Sequence, residues 1–293
     1  MAMFIVKPWY GKKKEPSQPI SNLAVGSLIK DPNTKYNNDP IIWRVLEHGH
    51  AGDPANTTAL EARDILTLKC FDAKEPNNTD TNRTKYGNNR YLYSNILQWL
   101  NSDAAANEWY TAQHEADQKP DSANVWVSSG TPINPYDNES GFLSNFSLEF
   151  RAVLQTVNKT TAKNTVTDGG GYESVSSKIF LPSTTEIGFA NENNVAEGAI
   201  YTYYSMDNTD ARRKKVLANE AAKGNYPSGG NSWQLRTPNS SGTQAVRYVY
   251  GSGVRGSGYA YQGSYGISPA LCIPSTQAVS EQPDADGIYS FVF

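Results

Sequence analysis

Ile41-Ile42-Trp43-Arg44-Val45-Leu46 is the stretch that most narrows what this chain can become. Its apolar character is nearly continuous and its residues are mostly β-branched or aromatic, so it reads as a strand. An exposed hairpin would alternate apolar and polar positions, and this run does not, which places it centrally in a sheet. "AVGSLI" before it and "ARDILTLKCF" after it, with Ile65, Leu66, Leu68 and Cys70, extend that sheet. Further strand patterns follow late in the chain at "SWQLRTP", "AVRYVY", "YAYQ" and "PALCIP".

Helical signals are fewer. "SNILQWLNSDAA" carries Ser94 as an N-cap, and Ile96, Leu97 and Leu100 fall on one apolar stripe with Trp99 beside them. "LSNFSLEFRAVLQTV" predicts a second helix with Phe146, Phe150, Val153 and Leu154 on a shared face. "DARRKKVLANEAA" predicts a third, its cations forming a solvated outer surface. "SSKIFLPSTTEIG" reads as a short strand, a turn and a helix start, and residues 160–174, around Gly169-Gly170-Gly171, read as loop.

The 293 residues carry a formal net charge of −3 and are 38% hydrophobic. That length suffices for a sizeable core, and abundant Asn, Ser, Thr, Gly and Tyr suit a loop-rich fold of short strands rather than a helix bundle. The near-neutral balance excludes the basic footprint of a nucleic-acid binder. No apolar run approaches the ~20 residues that cross a bilayer. In "MAMFIVKPWYGKKKEP" the lysines follow the apolar residues, the reverse of a signal peptide, so cytosolic synthesis without secretory export is expected. Residues 1–22 read as an N-terminal arm, 23–275 as the folded domain and 276–293 as a C-terminal extension ending in an apolar strand-like tip. Cys70 and Cys272 lie far apart and read as two buried free thiols.

Four segments in order carry a resemblance: "GSLIKDP…PIIWRVLEHG", "NRYLYSNILQWLNS", "KIFLPSTTEIG" and "WQLRTP…VRYVYGSG…GISPALCIPS". The chain resembles a family of domains of unknown function common in phages and prophages of Gram-positive gut bacteria. Two departures from its usual motifs are Gln234, inserted in W-Q-L-R-T-P, and Ser268, where the family usually has Arg. The family in turn resembles the C-type lectin-like fold. The resemblance therefore implies an α+β chain with an antiparallel sheet core, flanking helices and long loops at one end. It is also similar to retroelement-diversified receptor-binding proteins, including phage tropism determinants, which present a ligand face on their C-terminal strands. Trp233, Leu235 and Arg236 belong to the shared motif and read as structural.

The chemistry of a catalyst is not signalled. "EPN" at Glu75-Pro76-Asn77 and "QPD" at Gln282-Pro283-Asp284 are sugar-binding triplets of calcium lectins, but they sit away from the C-terminal sheet, and no metal or cofactor is expected. Cys272 lies among apolar neighbours, where a thiolate is disfavoured. His48 and His50 could ligate a metal only with a third ligand that nothing nearby supplies. No nucleotide or hydrolase fingerprint is present. A non-enzymatic binder is the expectation.

Between Arg247 and Tyr265 the chain spends five Tyr, five Gly, three Ser and two Arg, with no acidic residue and no Lys. Tyr offers broad amphipathic contact at low entropic cost, Gly and Ser let loops adapt, and Arg adds planar hydrogen bonding. "AVRYVY" and "YAYQ" read as arms of one hairpin around a flexible "GSGVRGSG" turn. In the first arm Val246, Tyr248 and Tyr250 point one way, Arg247 and Val249 the other. The candidate ligand residues are Arg247, Tyr248, Tyr250, Arg255, Tyr259, Tyr261 and Tyr265, with Tyr248 and Tyr250 open to a core or a surface placement. The expectation is a virion surface protein, made in the bacterial host cytoplasm, that engages a host cell-surface glycan or envelope protein. It would be joined to other virion proteins by its arm or tip, as a homo-oligomer without nucleic acid or membrane insertion. The alternative is a capsid decoration or head-fibre protein whose main partners are virion subunits.

Overall fold

The structure is a computed structural model that describes residues 16–293. The early strands are β1 (Ser17–Pro19), β2 (Leu28–Tyr36), β3 (Asp39–His48), β4 (Thr57–Ala62) and β5 (Thr67–Leu68). A short pair, β6 (Val127–Ser128) and β7 (Thr131–Pro132), precedes β8 (Val157–Ala162), β9 (Tyr172–Ser177) and β10 (Ile179–Phe180). The late strands are β11 (Trp233–Pro238), β12 (Ala245–Val249), β13 (Arg255–Tyr259), β14 (Gly266–Ile267), β15 (Ala270–Pro274), β16 (Ala278–Ser280) and β17 (Ile288–Ser290). Helices are single short turns or little more: α1 (Thr81–Tyr86), α2 (Asn95–Leu100), α3 (Leu148–Val153), α4 (Thr202–Ser205) and α5 (Asp210–Arg213). The chain is thus α+β and strand-rich. None of the described helices is long and apolar enough to cross a membrane.

Two sheets organise the molecule. A six-stranded sheet runs β10-β15-β4-β3-β2-β17, and a five-stranded sheet runs β13-β12-β11-β14-β5. Pairing is antiparallel except β17 on β2 and β14 on β11. The strand holding Ile41–Leu46 does sit inside its sheet, between β2 and β4. Its apolar run has a simple cause: Trp43 and Val45 face one buried cluster and Leu46 faces another, so both sides of the sheet are covered. The first cluster packs Trp43, Trp99, Phe142, Phe146 and Phe150 beneath α2 and α3; the second packs Trp233, Tyr201, Tyr204 and Phe180.

α2 starts where expected, with the Ser94 hydroxyl accepting from Leu97 N. The second helix is broken in two. Phe146 is extended and Ser147 caps a fresh start, its hydroxyl accepting from Phe150 N, so a short 3-10 turn over Phe142–Asn145 precedes α3. The third expected helix is reduced to α5 and a 3-10 turn over Glu220–Lys223. Its cations explain why. Arg213 is buried and donates to the Ile187 and Gly188 carbonyls, and Lys215 is buried and donates to the Ala62 carbonyl beside Glu61. The solvated cationic face is therefore corrected for Arg213 and Lys215, which point inward, while Lys214 is exposed and Arg212 pairs with Asp207 at the surface. The expected helix start at Ser183 is a single closed turn: Ser183 and Glu186 exchange backbone-to-side-chain bonds as a capping box, and Gly188, at φ +85°, ends it. The Gly169-Gly170-Gly171 segment links β8 to β9, so the predicted loop over 160–174 shrinks to its centre.

Both ends of the described residues are more integrated than their composition suggests. Ser17–Pro19, read as part of the arm, pairs with β16, and Ile20 is fully buried. The expected arm's remainder, including Lys12–Lys14, lies outside the described residues. Residues 276–293, read as an extension, supply β16 and β17, and Phe291 packs at 4.7 Å from Phe150. Cys70 and Cys272 are both buried and unbridged.

Candidate functional site

β12 and β13 form the expected hairpin, in register from Ala245 opposite Tyr259 to Val249 opposite Arg255. The second arm is "RGSGY" rather than "YAYQ", so half of the stretch read as a flexible turn is strand. The reversal itself spans Gly251–Val254, closed by Tyr250 N donating to the Val254 carbonyl. Gly253, at φ +95°, lies against the Asp210 carbonyl, where a Cβ would clash.

The glycines of β13 have a packing role. Gly256 stands opposite Tyr248, and a Cβ there would meet the Tyr248 ring at 2.6 Å. A Cβ on Gly258 would meet a Tyr265 ring carbon at 2.6 Å. Rings from Tyr248, Tyr250 and Tyr265 thus lie over a strand stripped of side chains: Tyr248 stacks on Tyr265 at 4.4 Å and meets Tyr250 edge-on at 4.8 Å. A separate group forms at the end of β13, where Tyr259, opposite Ala245 and so on the other face of the hairpin from Tyr248, stacks on Tyr86 at 4.2 Å with a 12° interplanar angle, and Tyr261 meets Tyr86 at 5.7 Å. Trp126, whose backbone N donates to the Tyr261 carbonyl, continues the surface to Tyr226 at 5.8 Å.

The expected ligand residues divide accordingly. Tyr250 is 44% exposed and Tyr259 40% exposed; Tyr261 and Tyr265 are half-buried. Tyr248 is buried at 5% exposure, which corrects its place among the ligand candidates: its ring is the floor on which Tyr250 and Tyr265 rest. Arg247 is half-buried and engaged within the fold. Its guanidinium forks onto Glu192, Nε to Oε2 at 2.9 Å and Nη2 to Oε1 at 2.7 Å. Burial would raise the Glu192 pKa, but the Arg247 and Ser240 bonds lower it, so the carboxylate stays charged and the arginine stays held. Arg255 remains on the surface, tethered by a bond to the Ala190 carbonyl at 3.2 Å and by an ion pair with Glu192 at 3.8 Å. Trp233 is fully buried and donates to the Arg213 carbonyl. Tyr86, Trp126 and Glu192 were not singled out in the sequence. A lone aromatic in "TKYGNNR" carries no periodic signal, and only the fold brings it beside Tyr259.

A second cluster of ionisable side chains lies near α1. Glu75, His114 and Asp117 each bring a ligand atom to within 4.8 Å of the others, a set able to hold a divalent cation through one nitrogen and two oxygens. Asp72 adjoins them. Asn88 donates to Glu75 Oε1 at 3.1 Å, Asn95 to Asp117 Oδ1 at 3.4 Å, and His114 Nε2 lies 2.8 Å from Glu75 Oε1. Burial, with Glu75 adding, pushes Asp117 up to about 6, and burial raises Asp72 well above the carboxylate range; the bond to Glu75 raises His114. Glu75, noticed in the sequence only within "EPN", is thus part of a buried network, while Asp284 of "QPD" pairs with Lys30 at 2.6 Å. His48 and His50 are parted: His48 bonds Thr58 and the Leu23 carbonyl, His50 bonds Glu47.

No curated protein and no solved structure matches the chain. The model of a family described as a domain of unknown function, DUF6273, matches residues 55–275, from the last residues before β4 through β15 and including the whole aromatic hairpin. That span is well over half of the sequence, and the chain belongs to the DUF6273 family.

Proposed function

We propose that this chain is a non-catalytic binding module with a C-type lectin-like arrangement. In this reading it is displayed on a virion and engages a cell-surface glycan or envelope protein through Tyr250, Tyr259, Tyr261 and Tyr86, with Arg255 at the rim. One observation carries the reading: two tyrosines, Tyr250 and Tyr259, stand 44% and 40% exposed on a rigid backing of other rings. Pre-stacked rings lose little freedom on binding, and flat aromatic faces suit the apolar faces of sugars. The antiparallel sheets, short helices and long connecting segments are what support the lectin-like comparison. Avidity from repeated copies would compensate for weak single contacts.

The test uses purified Gram-positive cell walls as the probe in a sedimentation assay. Tyr259→Ala with Tyr261→Ala is expected to reduce the bound fraction at least tenfold, about 1.4 kcal/mol, with Tm moving by no more than about 3 °C. Undiminished sedimentation of the double variant refutes the assignment of the face.

The decoration-protein reading has its own support. Leu148, the first residue of α3, is 72% exposed, and Phe293, whose ring lies 6.1 Å from that of Phe150, is 51% exposed; such bare apolar side chains suit a neighbouring subunit. In that reading Leu148→Asp with Phe293→Asp prevents incorporation into particles while the tyrosine variant incorporates normally.

A further inference from the structure

Beneath the second core cluster lies an ionic group that the binding face does not use. Lys159 on β8 is almost fully buried, and its ammonium meets three oxygens: Asp53 Oδ1 at 2.5 Å, the Tyr201 hydroxyl at 2.9 Å and Glu186 Oε1 at 3.1 Å. The Asp53 and Glu186 side chains are each 1% exposed. The Phe180 ring centroid is 4.4 Å from Nζ, so the group sits against aromatic walls. Asp53 comes from the turn between β3 and β4, and Glu186 from the capping-box turn after β10.

Glu186 has two unlike oxygens. Oε2 is engaged by the Arg236 guanidinium and by Ser183 N. Oε1 accepts no hydrogen bond from the described residues, although it faces Nζ. Burial alone would raise the Glu186 pKa, but Arg236 and Lys159 pull it down to about 2, so Oε1 is a charged acceptor that faces the amine and is held there by the ion pair alone. Beside it lies a cavity of about 60 Å³ lined by Lys159, Glu186, Gly52 and Gly198, room enough for a water molecule.

We propose that Lys159 and Asp53 condense to an intramolecular isopeptide bond, with Glu186 as the proton carrier. The resting pair is ionic, because Glu186 and Asp53 together outweigh burial and raise the Lys159 pKa. Transfer of one proton from the ammonium to the Asp53 carboxylate gives an amine and a carboxylic acid, a neutral pair that a dry interior tolerates better than it tolerates separated charges. The amine nitrogen then bonds to Asp53 Cγ and one Cγ–O bond breaks. Glu186 Oε1 takes one of the two protons left on nitrogen and passes it to the departing hydroxyl, the other stays as the amide N–H, and water leaves into the cavity. Glu186 ends as it began, ionised, and no other reactant enters. Holding the two groups in contact replaces a bimolecular condensation by a local one. The product staples the β3–β4 turn to β8, 106 positions apart in the chain.

Intact-mass spectrometry of the full-length protein, followed by trypsin digestion, tests this. The native chain is expected one water lighter than its sequence mass, about 18 Da, with a branched peptide joining the Asp53 and Lys159 segments. Lys159→Arg, which keeps the cation without an amine that can form the bond, and Glu186→Gln are both expected at full sequence mass. A native chain at full mass, yielding Asp53 and Lys159 in separate peptides, overturns the proposal whether or not the variants fold. Mass loss persisting in Glu186→Gln overturns the role of Glu186.

Discussion

Arg236 shows what a single residue contributes here. It is fully buried, and its guanidinium donates to Glu186 and to the carbonyls of Leu181, Thr160 and Glu197, joining β11 to β8 and to the turn after β10. Arg236→Met would leave Glu186 as an under-compensated buried charge, at an expected cost of about 3–5 kcal/mol in urea-unfolding free energy. A cost below about 1 kcal/mol would show that the network is dispensable. The acidic network at Glu75, His114 and Asp117 makes a pH prediction. The folded state raises the pKa of Asp117 to about 6 and that of His114 above its ordinary value, so between about pH 4 and pH 7 it binds more protons than the unfolded state. Stability therefore falls as pH rises through that window, and Asp117→Asn is expected to flatten the fall. A Tm profile that rises across the window contradicts this. Arg236 was legible as structural from its motif. The cations at Arg213 and Lys215 were not, because a run of basic residues looks the same in sequence whether its side chains meet water or buried carbonyls.

At the scale of elements, the hairpin depends on glycine opposite tyrosine. Gly258→Val would drive a side chain into Tyr265 and disturb its stack on Tyr248, at an expected cost of about 1–3 kcal/mol and with a loss of near-ultraviolet dichroism from the tyrosines. Unchanged dichroism in a folded variant would show that the rings are not held by that contact. The pairing of two late arms was readable from the alternation in "AVRYVY". The second arm was misplaced because Gly-rich "RGSG" carries turn chemistry in isolation, and only the overlying rings make it strand. β3 and α2 were legible because local signal and tertiary placement agree: a continuous apolar run lies between two covered faces, and Ser94 caps an apolar stripe. The segment from Asp210 to Lys223 was not, since the bridge of Leu217 to Ile65 and the inward cations override its helical pattern.

For the whole molecule, the organising fact is that both ends of the described chain pair as strands. β1 pairs with β16 and β17 pairs with β2, so residues that composition assigned to an arm and an extension complete the fold instead. Only pairing over such sequence separations reveals this, and no local pattern encodes it. The hairpin lies at one edge of the five-stranded sheet, with β13 outermost. The central claim is that the exposed rings of this edge meet the ligand. Hydroxyl-radical footprinting of the protein with and without saturating Gram-positive cell-wall polysaccharide tests it directly. The account predicts that Tyr250, Tyr259 and Tyr261 are oxidised in the free protein and protected in the complex, with Tyr248 unreactive in both. Unchanged oxidation of those three under conditions where the protein sediments with the polysaccharide would contradict it.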